Sequence, residues 1–108
     1  MELLVECYRI ARLLPSEERY GLASQIRRAA VSVAANIAEG CGRSAAGDRL
    51  RFFSFSRGSL CEVRTLLAAV KMLGYVKSSD LERALDLTLG CGQLISGLRR
   101  SVRSRQNR

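Results

Sequence analysis

One helical stretch, residues 25–43, limits the possible folds of this chain more than any other part of it; it reads QIRRAAVSVAANIAEGCGR. At 100° per residue, one narrow apolar stripe is predicted, the pattern of a helix that faces a core; it consists of Leu22, Ile26, Ala30, Val33 and Ile37. Much of the remaining surface is alanine, which lets a second helix approach closely. The stretch therefore predicts a helix with neighbours on more than one side, ending at Gly40 and Gly42 in the left-handed conformation typical of helix C-termini.

Helical periodicity also marks three other segments of the chain. The first covers residues 1–14 and is closed by Pro15. The third follows a link of small and polar residues, 41–48, and is ended by Gly74. These segments and their short connections predict an all-α fold, an antiparallel up-and-down four-helix bundle with a short first helix.

The last helix has the clearest start signal, an S-x-x-E capping box from Ser79 to Glu82. Its apolar face extends to Leu98, so we assign residues 1–98 to a single bundle domain. Residues 99–108 lack apolar periodicity, and they are predicted to form a basic, disordered C-terminal tail.

The chain has no histidine, and its four cysteines are scattered without a CxxC pair. This pattern predicts neither a metal site nor a cofactor, and the cysteines are interpreted as small, mostly buried thiols. No carboxylate pair, cysteine or lysine is arranged for catalysis, so we expect a protein that is not an enzyme and has no small-molecule substrate. No apolar run approaches the ~20 residues that span a bilayer, which predicts a cytoplasmic protein without a membrane partner.

Charge is the most informative property for function. The net charge is +8, and the last ten residues contain five arginines and no acid. Because a guanidinium group can grip two phosphate oxygens at once, arginine-rich surfaces suit phosphate binding. The tail arginines predicted to bind nucleic acid are Arg99, Arg100, Arg103, Arg105 and Arg108.

The third helix carries a line in which cations alternate with apolar groups. Such a line is found on nucleic-acid-binding surfaces, but it also arises where arginine stems cover apolar side chains at a helix interface. Both interpretations stay open from the sequence alone. The cations of this line that are candidates for nucleic-acid binding are Arg49, Arg57, Arg64 and Lys71.

Three runs together resemble a known family: PSEERYGL from Pro15, SQIRRAAVSVAANIAEGCGR from Ser24, and RFFSFSRGSLCEV from Arg51. They are similar to the small four-helix bundle proteins encoded by intervening sequences of bacterial large-subunit ribosomal RNA genes. The accessory variability determinant of diversity-generating retroelements is similar as well. The resemblance implies a four-helix bundle that assembles into a ring-like homopentamer with a basic surface and no catalytic residues. In the retroelement relatives, that assembly binds nucleic acid and partners a reverse transcriptase.

The family motif carries over residue by residue, and the resemblance implies that most of its positions serve the fold and subunit packing. Two departures stand out: only fourteen residues precede Pro15, where the family usually has a longer first helix, and Ala34 stands where the family usually has proline. The motif positions of this chain are Gln25, Arg27, Arg28, Ala29, Asn36, Ile37, Ala38, Glu39, Gly40, Arg43, Arg57, Gly58, Ser59 and Glu62.

Two functions therefore follow as expectations. The first is an oligomeric, non-enzymatic bundle that binds RNA or DNA through arginine–phosphate contacts, as an accessory to a reverse transcriptase or in association with ribosomal RNA. The alternative is a protein-interaction scaffold whose basic surface docks an acidic partner protein. Binding that depends on the arginine tail would favour the first over the second.

Overall fold

Four α-helices make up the protein, and a computed structural model describes residues 1–106 of the 108. They are α1 (Glu2–Leu13), α2 (Leu22–Gly42), α3 (Ala46–Met72) and α4 (Ser78–Gln106), with a short 3-10 helix at Ser16–Glu18 between α1 and α2. Across residues 1–106 the structure contains no strand. The predicted all-α, four-helix architecture is confirmed.

Two of the helix ends follow from residues with restricted or unusual backbone conformations. Pro15 follows the extended residue Leu14 and ends α1, because proline disfavours the helical conformation in the residue before it. Gly74 has a φ of +79°, a left-handed value that costs glycine little, and it turns the chain after α3. Both ends were predicted from the sequence.

Consecutive helices run antiparallel, as cross-helix contacts show. On α2 and α3, Ser32 pairs with Ser59, whereas Val33, one residue further on, pairs with Ser56. On α3 and α4, the Arg64 guanidinium donates to the Thr88 carbonyl, and α1 packs on both α2 and α4. The helices therefore form an up-and-down bundle whose long axis measures 51 Å.

The bundle has four helices along only part of its length. α1 has 12 residues, whereas α3 and α4 have 27 and 29. At 1.5 Å per residue α1 is ~18 Å long, less than half the length of α4. Its side chains reach α4 at Asp80 and Arg83. The end of the bundle that contains the C-terminal turns of α2 and α4 and the first turns of α3 therefore consists of three helices.

The core is built from aliphatic side chains with one central aromatic ring, Phe53. On α2 the predicted stripe is buried at Ile26, Ala30 and Val33, and its ends are partly buried against the core. On α3 the apolar members of the mixed line, Phe53, Leu60 and Leu67, are buried, as are Val63 and Val70, whereas Leu73 after the helix is exposed. The mixed line therefore marks the edge of the core, with cations beside it.

α2 ends at Gly42, as predicted, but the left-handed conformation predicted for its two glycines is wrong. Gly40 and Gly42 are both helical, and within residues 1–106 the only glycine with a positive φ is Gly74. Gly40 is buried instead, and a Cβ placed on it would lie 2.5 Å from the Phe53 ring. Glycine is required there because the ring occupies the space of a side chain. The link between α2 and α3 shortens accordingly to residues 43–45.

Two predictions for α4 are also corrected. The helix begins at Ser78 rather than at a Ser79–Glu82 box, and the Asp80 carboxylate accepts the backbone N–H of Lys77 at 2.8 Å. At the other end, α4 continues through residues 99–106, which the sequence assigned to a disordered tail. Val102 explains the continuation, because it is only 4% exposed and so carries the core-facing stripe one turn beyond Leu98.

The cysteines are less buried than predicted. Cys7 is buried and Cys91 is half-buried, but Cys41 and Cys61 are exposed, and all four are free thiols. None of the helices in residues 1–106 combines the length and the apolar character that crossing a membrane requires.

Candidate nucleic-acid interface

A groove of about 450 Å³ lies along the contact between α3 and α4. Three arginines, Arg57 and Arg64 from α3 and Arg100 from α4, stand along it. We call this contact the α3–α4 seam. The remaining residues that line its groove are Leu60, Cys61, Leu89, Gly92, Gln93 and Ser96.

The antiparallel register of the two helices brings these arginines together. Arg64 on α3 lies beside Thr88 and Gly92 on α4. Because the two helices are antiparallel, residues one or two turns before Arg64 lie beside residues one or two turns after Gly92. Arg57 is accordingly close enough to Arg99 for its charge to lower the pKa of Arg99. Residues separated by about forty positions in the sequence thus share one basic surface.

Burial and the neighbouring positive charges of the cluster both act on Arg99. Desolvation by burial, and then the charges of Arg57 and Arg103, lower the pKa of Arg99. The group stays protonated at neutral pH, because arginine titrates far above it. In the part of the chain that the structure describes, no carboxylate lies within 4.0 Å of the guanidinium groups of Arg57, Arg99 or Arg103. The seam therefore holds a concentration of positive charge without a paired anion.

Two donors at this end of the bundle lack acceptors. The Nε atoms of Arg49 and Arg99 are shielded from solvent and have no hydrogen-bond partner among residues 1–106. A buried donor without a partner is unfavourable by about 1–3 kcal/mol, and more when the group is charged. An anion or an ordered water would supply the missing acceptor.

Arginine stems also cover apolar side chains here, so the structure combines the two interpretations of the α3 line. The Nη2 atom of Arg64 donates to the Thr88 carbonyl at 3.1 Å and lies 3.3 Å from the position of a Cβ on Gly92. Leu60 is buried beneath it, whereas Leu89 on the other wall is 60% exposed. Arg64 is therefore partly committed to holding α3 against α4, while the exposed Arg57 makes no such hydrogen bond among the described residues.

The other predicted binding residues are placed differently. Arg49 is half-buried near the start of α3, and Arg105 is exposed near the end of α4. Lys71 is exposed in the last turn of α3, two turns beyond Arg64 and away from the cluster. Arg108 lies outside the described residues. The structure thus gathers Arg57, Arg64, Arg99, Arg100 and Arg103 and leaves Lys71 apart.

The motif residues of α2 and α3 divide into structural and exposed positions. Ser59 shares a 2.7 Å hydrogen bond with Ser32, whose carbonyl accepts from the Asn36 side chain at 2.9 Å. Gly40 receives the Phe53 ring, as described above. These contacts fix the spacing of α2 and α3, which we call the α2–α3 seam.

Other motif residues make weaker surface contacts or none. Arg27 donates to the Arg19 carbonyl at 3.3 Å, and Arg43 pairs with Glu39 at 3.2 Å. The motif residues that are exposed and form no ion pair among residues 1–106 are Gln25, Arg28, Ala38, Arg57, Gly58 and Glu62.

Sequence reasoning missed the polar residues of the α4 wall, Gln93 and Ser96. Their spacing of three places them on one face of a helix, and with Arg100 four residues later they form a polar line that the sequence contains. In residues 1–106 no group of three or more acidic or cysteine side chains is placed to hold a metal ion. The residues gathered at the seam are cations and neutral polar groups, a composition suited to binding anions.

Comparison with known proteins places the chain in a family. The model of one protein family, described as 23S rRNA-intervening sequence protein, matches residues 1–97. A comparison with curated proteins gives no match for the chain. Because the family model covers nearly the whole length, from α1 into the last third of α4, the chain belongs to the 23S rRNA-intervening sequence protein family.

Proposed function

We propose that this protein is a non-enzymatic module that binds nucleic acid, RNA or DNA, by its phosphates at the α3–α4 seam. The observation that carries the proposal is the meeting of Arg57 and Arg100 with Arg99 and Arg103 on one surface without a paired carboxylate in residues 1–106. A fold does not require such a cluster, since the mutual repulsion is unfavourable. A polyphosphate neutralises it and supplies acceptors for the guanidinium donors.

Specificity for particular bases is not expected at the seam. Phosphate contacts position a protein on nucleic acid without reading its sequence. The groove lies between two packed helices whose arginines sit on one side, so it presents a charged strip rather than a protruding recognition helix. We therefore expect strong dependence of affinity on salt and weak dependence on sequence.

Assembly would strengthen this mode of binding. We propose that the chain forms a ring-like homopentamer in the cytoplasm, which repeats the basic cluster about fivefold and adds many weak contacts through avidity. Exposed leucines such as Leu85 and Leu94 give the bundle apolar surface for subunit contacts. Ribosomal RNA is a candidate ligand because of the family, and a reverse transcriptase is a candidate partner.

The test is a salt series of binding affinities measured by fluorescence anisotropy with an RNA hairpin and a duplex DNA. The variant Arg57→Gln/Arg100→Gln/Arg103→Gln removes three charges from the seam. A matched control, Arg12→Gln/Arg19→Gln/Lys77→Gln, removes three exposed charges from the opposite end of the bundle. Each phosphate contact contributes about 0.9 to the slope of log K against log salt on B-DNA.

We expect the seam variant to lower the magnitude of the slope by ~1 to 3 and the control to leave it close to that of the unmodified protein. Equal losses in the two variants would show binding governed by net charge and would contradict a defined site. Lack of binding by the unmodified protein at low salt would overturn the proposal.

A second candidate function is a scaffold that docks an acidic partner protein. It is favoured by Leu89, which is 60% exposed beside the arginines of the groove. An amphipathic segment with acidic residues and an apolar anchor would fit that combination. In this case Leu89→Ser would abolish partner binding, whereas affinity for nucleic acid would change little.

A further inference from the structure

An aromatic cluster lies on the side of α3 that faces away from the arginine groove. The Phe52 and Phe55 rings meet edge to face, with centroids 5.9 Å apart and planes at 88°. Phe55 is 52% exposed, whereas Phe53, which lies between them in the sequence, is fully buried in the core on another side of the helix. Burial of an aromatic ring is the ordinary outcome in a core of this size, so an exposed ring supported by a second ring calls for an explanation.

Two arginines hold the inner ring of the cluster. The guanidinium carbons of Arg43 and Arg51 lie 4.8 and 5.2 Å from the Phe52 centroid, within the range of cation–π contacts. Each arginine also pairs with a carboxylate, Arg43 with Glu39 and Arg51 with Asp48. All four of these side chains are about half exposed, so the pairs are weak and exchange readily for a phosphate oxygen.

The face of α3 beside Phe55 is kept clear by a glycine. Gly58 lies three residues after Phe55, and therefore on the same side of the helix. A Cβ on Gly58 would meet no atom within 4 Å, so packing in the monomer does not require glycine at this position. Glycine inside a helix is unfavourable relative to alanine, which suggests that the space itself is used.

We propose that Phe55 is a stacking platform for an unpaired nucleobase, with Arg43 and Arg51 holding the neighbouring phosphates; this inference rests on the proposed function and extends it to single-stranded segments. The platform supplies a flat apolar face, Gly58 leaves room for the base or its sugar to lie against the helix, and the arginines supply charge complementarity. Loops and bulges of a folded RNA, or a single DNA strand, present such bases.

Duplex nucleic acid does not fit this site. In a duplex each base is stacked between its neighbours, so no base face is free to cover Phe55. The nearest carboxylates on this face of α3, Asp48 and Glu62, lie seven residues to either side, about 10 Å along the helix axis. The platform therefore distinguishes single strands from duplexes, whereas the α3–α4 seam does not.

The experiment compares a 12-nucleotide oligothymidine with a 12-base-pair duplex DNA in anisotropy titrations. Phe55→Leu keeps an apolar side chain but removes the ring, and Phe55→Tyr keeps the ring as the matched control. We expect Phe55→Leu to weaken oligothymidine binding about 5- to 100-fold, the usual range for one base stacked on one aromatic ring. Duplex affinity and the salt slope should stay the same, because Phe55 carries no charge, and Phe55→Tyr should bind as the unmodified protein does.

A second variant separates binding from stability. Gly58→Ala should raise the melting temperature, since alanine favours the helix and meets no neighbour. It should nevertheless weaken oligothymidine binding, because the methyl group fills the space beside the ring. A loss of affinity in a protein that has become more stable is not explained by partial unfolding.

The outcomes are distinguishable from those that test the seam. If the unmodified protein binds duplex and oligothymidine and Phe55→Leu changes neither, the platform is overturned and the proposed function stands. If Phe55→Leu instead changes the molar mass in light scattering, the face is a contact between copies of the chain, and the platform is again overturned. If the unmodified protein binds no nucleic acid, the proposed function is overturned, and the platform, which rests on it, is overturned as well.

Discussion

The two sides of α3 are built in opposite ways. The α2–α3 seam is closed: Ser56 donates to the Val33 carbonyl at 2.7 Å inside the core, and Gly40 lets the Phe53 ring reach the α2 backbone. The α3–α4 seam is open over part of its length, and arginines without paired carboxylates in residues 1–106 line its groove. One side of α3 is thus tightly packed, with its polar groups hydrogen-bonded, and the other side is charged, with arginines that lack paired carboxylates.

This difference separates stability from function within one small bundle. Small residues and buried hydroxyl groups that are hydrogen-bonded contribute to folding and leave no chemistry for a ligand. Clustered like charges and unpartnered donors do the reverse, since they are unfavourable until an anion arrives. Substitutions on the two seams should therefore change different properties, stability on the closed side and binding on the open side.

The largest expected difference between closed and open regions is in thiol reactivity. Burial, with smaller contributions from Glu6 and Cys91, raises the pKa of Cys7 to about 11, whereas Cys61 is exposed in the groove. A rise from 9.0 to about 11 lowers the thiolate fraction about 100-fold near neutral pH, and burial blocks access as well. At pH 8, iodoacetamide should label Cys61 rapidly and Cys7 only after denaturation. Peptide mass spectrometry measures the rates, and similar rates would mean that the core is not closed.

The next effect tests the closed seam directly. Gly40→Ala forces a methyl group against the Phe53 ring, and overpacking of this kind destabilises by about 1–3 kcal/mol. Gly42→Ala is the matched control, because a Cβ there meets nothing within 4 Å; it should be neutral or stabilise by up to ~1 kcal/mol. Urea denaturation followed by circular dichroism measures both. Equal stability of the two variants would show that the close approach of Gly40 and Phe53 is not required.

The smallest effect has the opposite sign and tests the open seam. Arg99→Gln relieves repulsion with Arg57 and Arg103, so the free energy of unfolding should stay the same or rise by up to ~0.5 kcal/mol. Added salt should stabilise the unmodified protein slightly for the same reason, and this gain should shrink in the variant. Thermal melts in a salt series provide the measurement. A clear loss of stability in Arg99→Gln would assign the arginine cluster to the fold.

Much of the bundle was predictable because its signals are local. Pro15 and Gly74 act through the conformations open to their own backbones, and they mark helix ends correctly. The left-handed conformation predicted for Gly40 was wrong, because a glycine that ends a helix and a glycine that makes room for a neighbouring ring look the same in the local sequence. The tail was misjudged because its arginines hid the spacing of Ile95, Leu98 and Val102, which continues the core stripe.

The parts of the site were predictable, but their juxtaposition was not. Arg57 and Arg100 stood out as cations on separate segments, and only the register of α3 on α4 places them along one groove. The same holds for Arg43 and Phe52, which α2 and α3 bring together across their short connection. Register depends on the packing of the whole interface, so single-residue patterns do not reveal it.

The most direct test of the central claim is a footprint on Cys61. In a Cys41→Ser background, Cys61 is the exposed thiol of the described residues, and it lies in the groove itself. Its alkylation rate is measured with and without a saturating RNA hairpin, while anisotropy confirms that the hairpin is bound. If nucleic acid occupies the α3–α4 seam, the rate should fall severalfold on binding. An unchanged rate with the hairpin fully bound would contradict the assignment of the seam as the binding site.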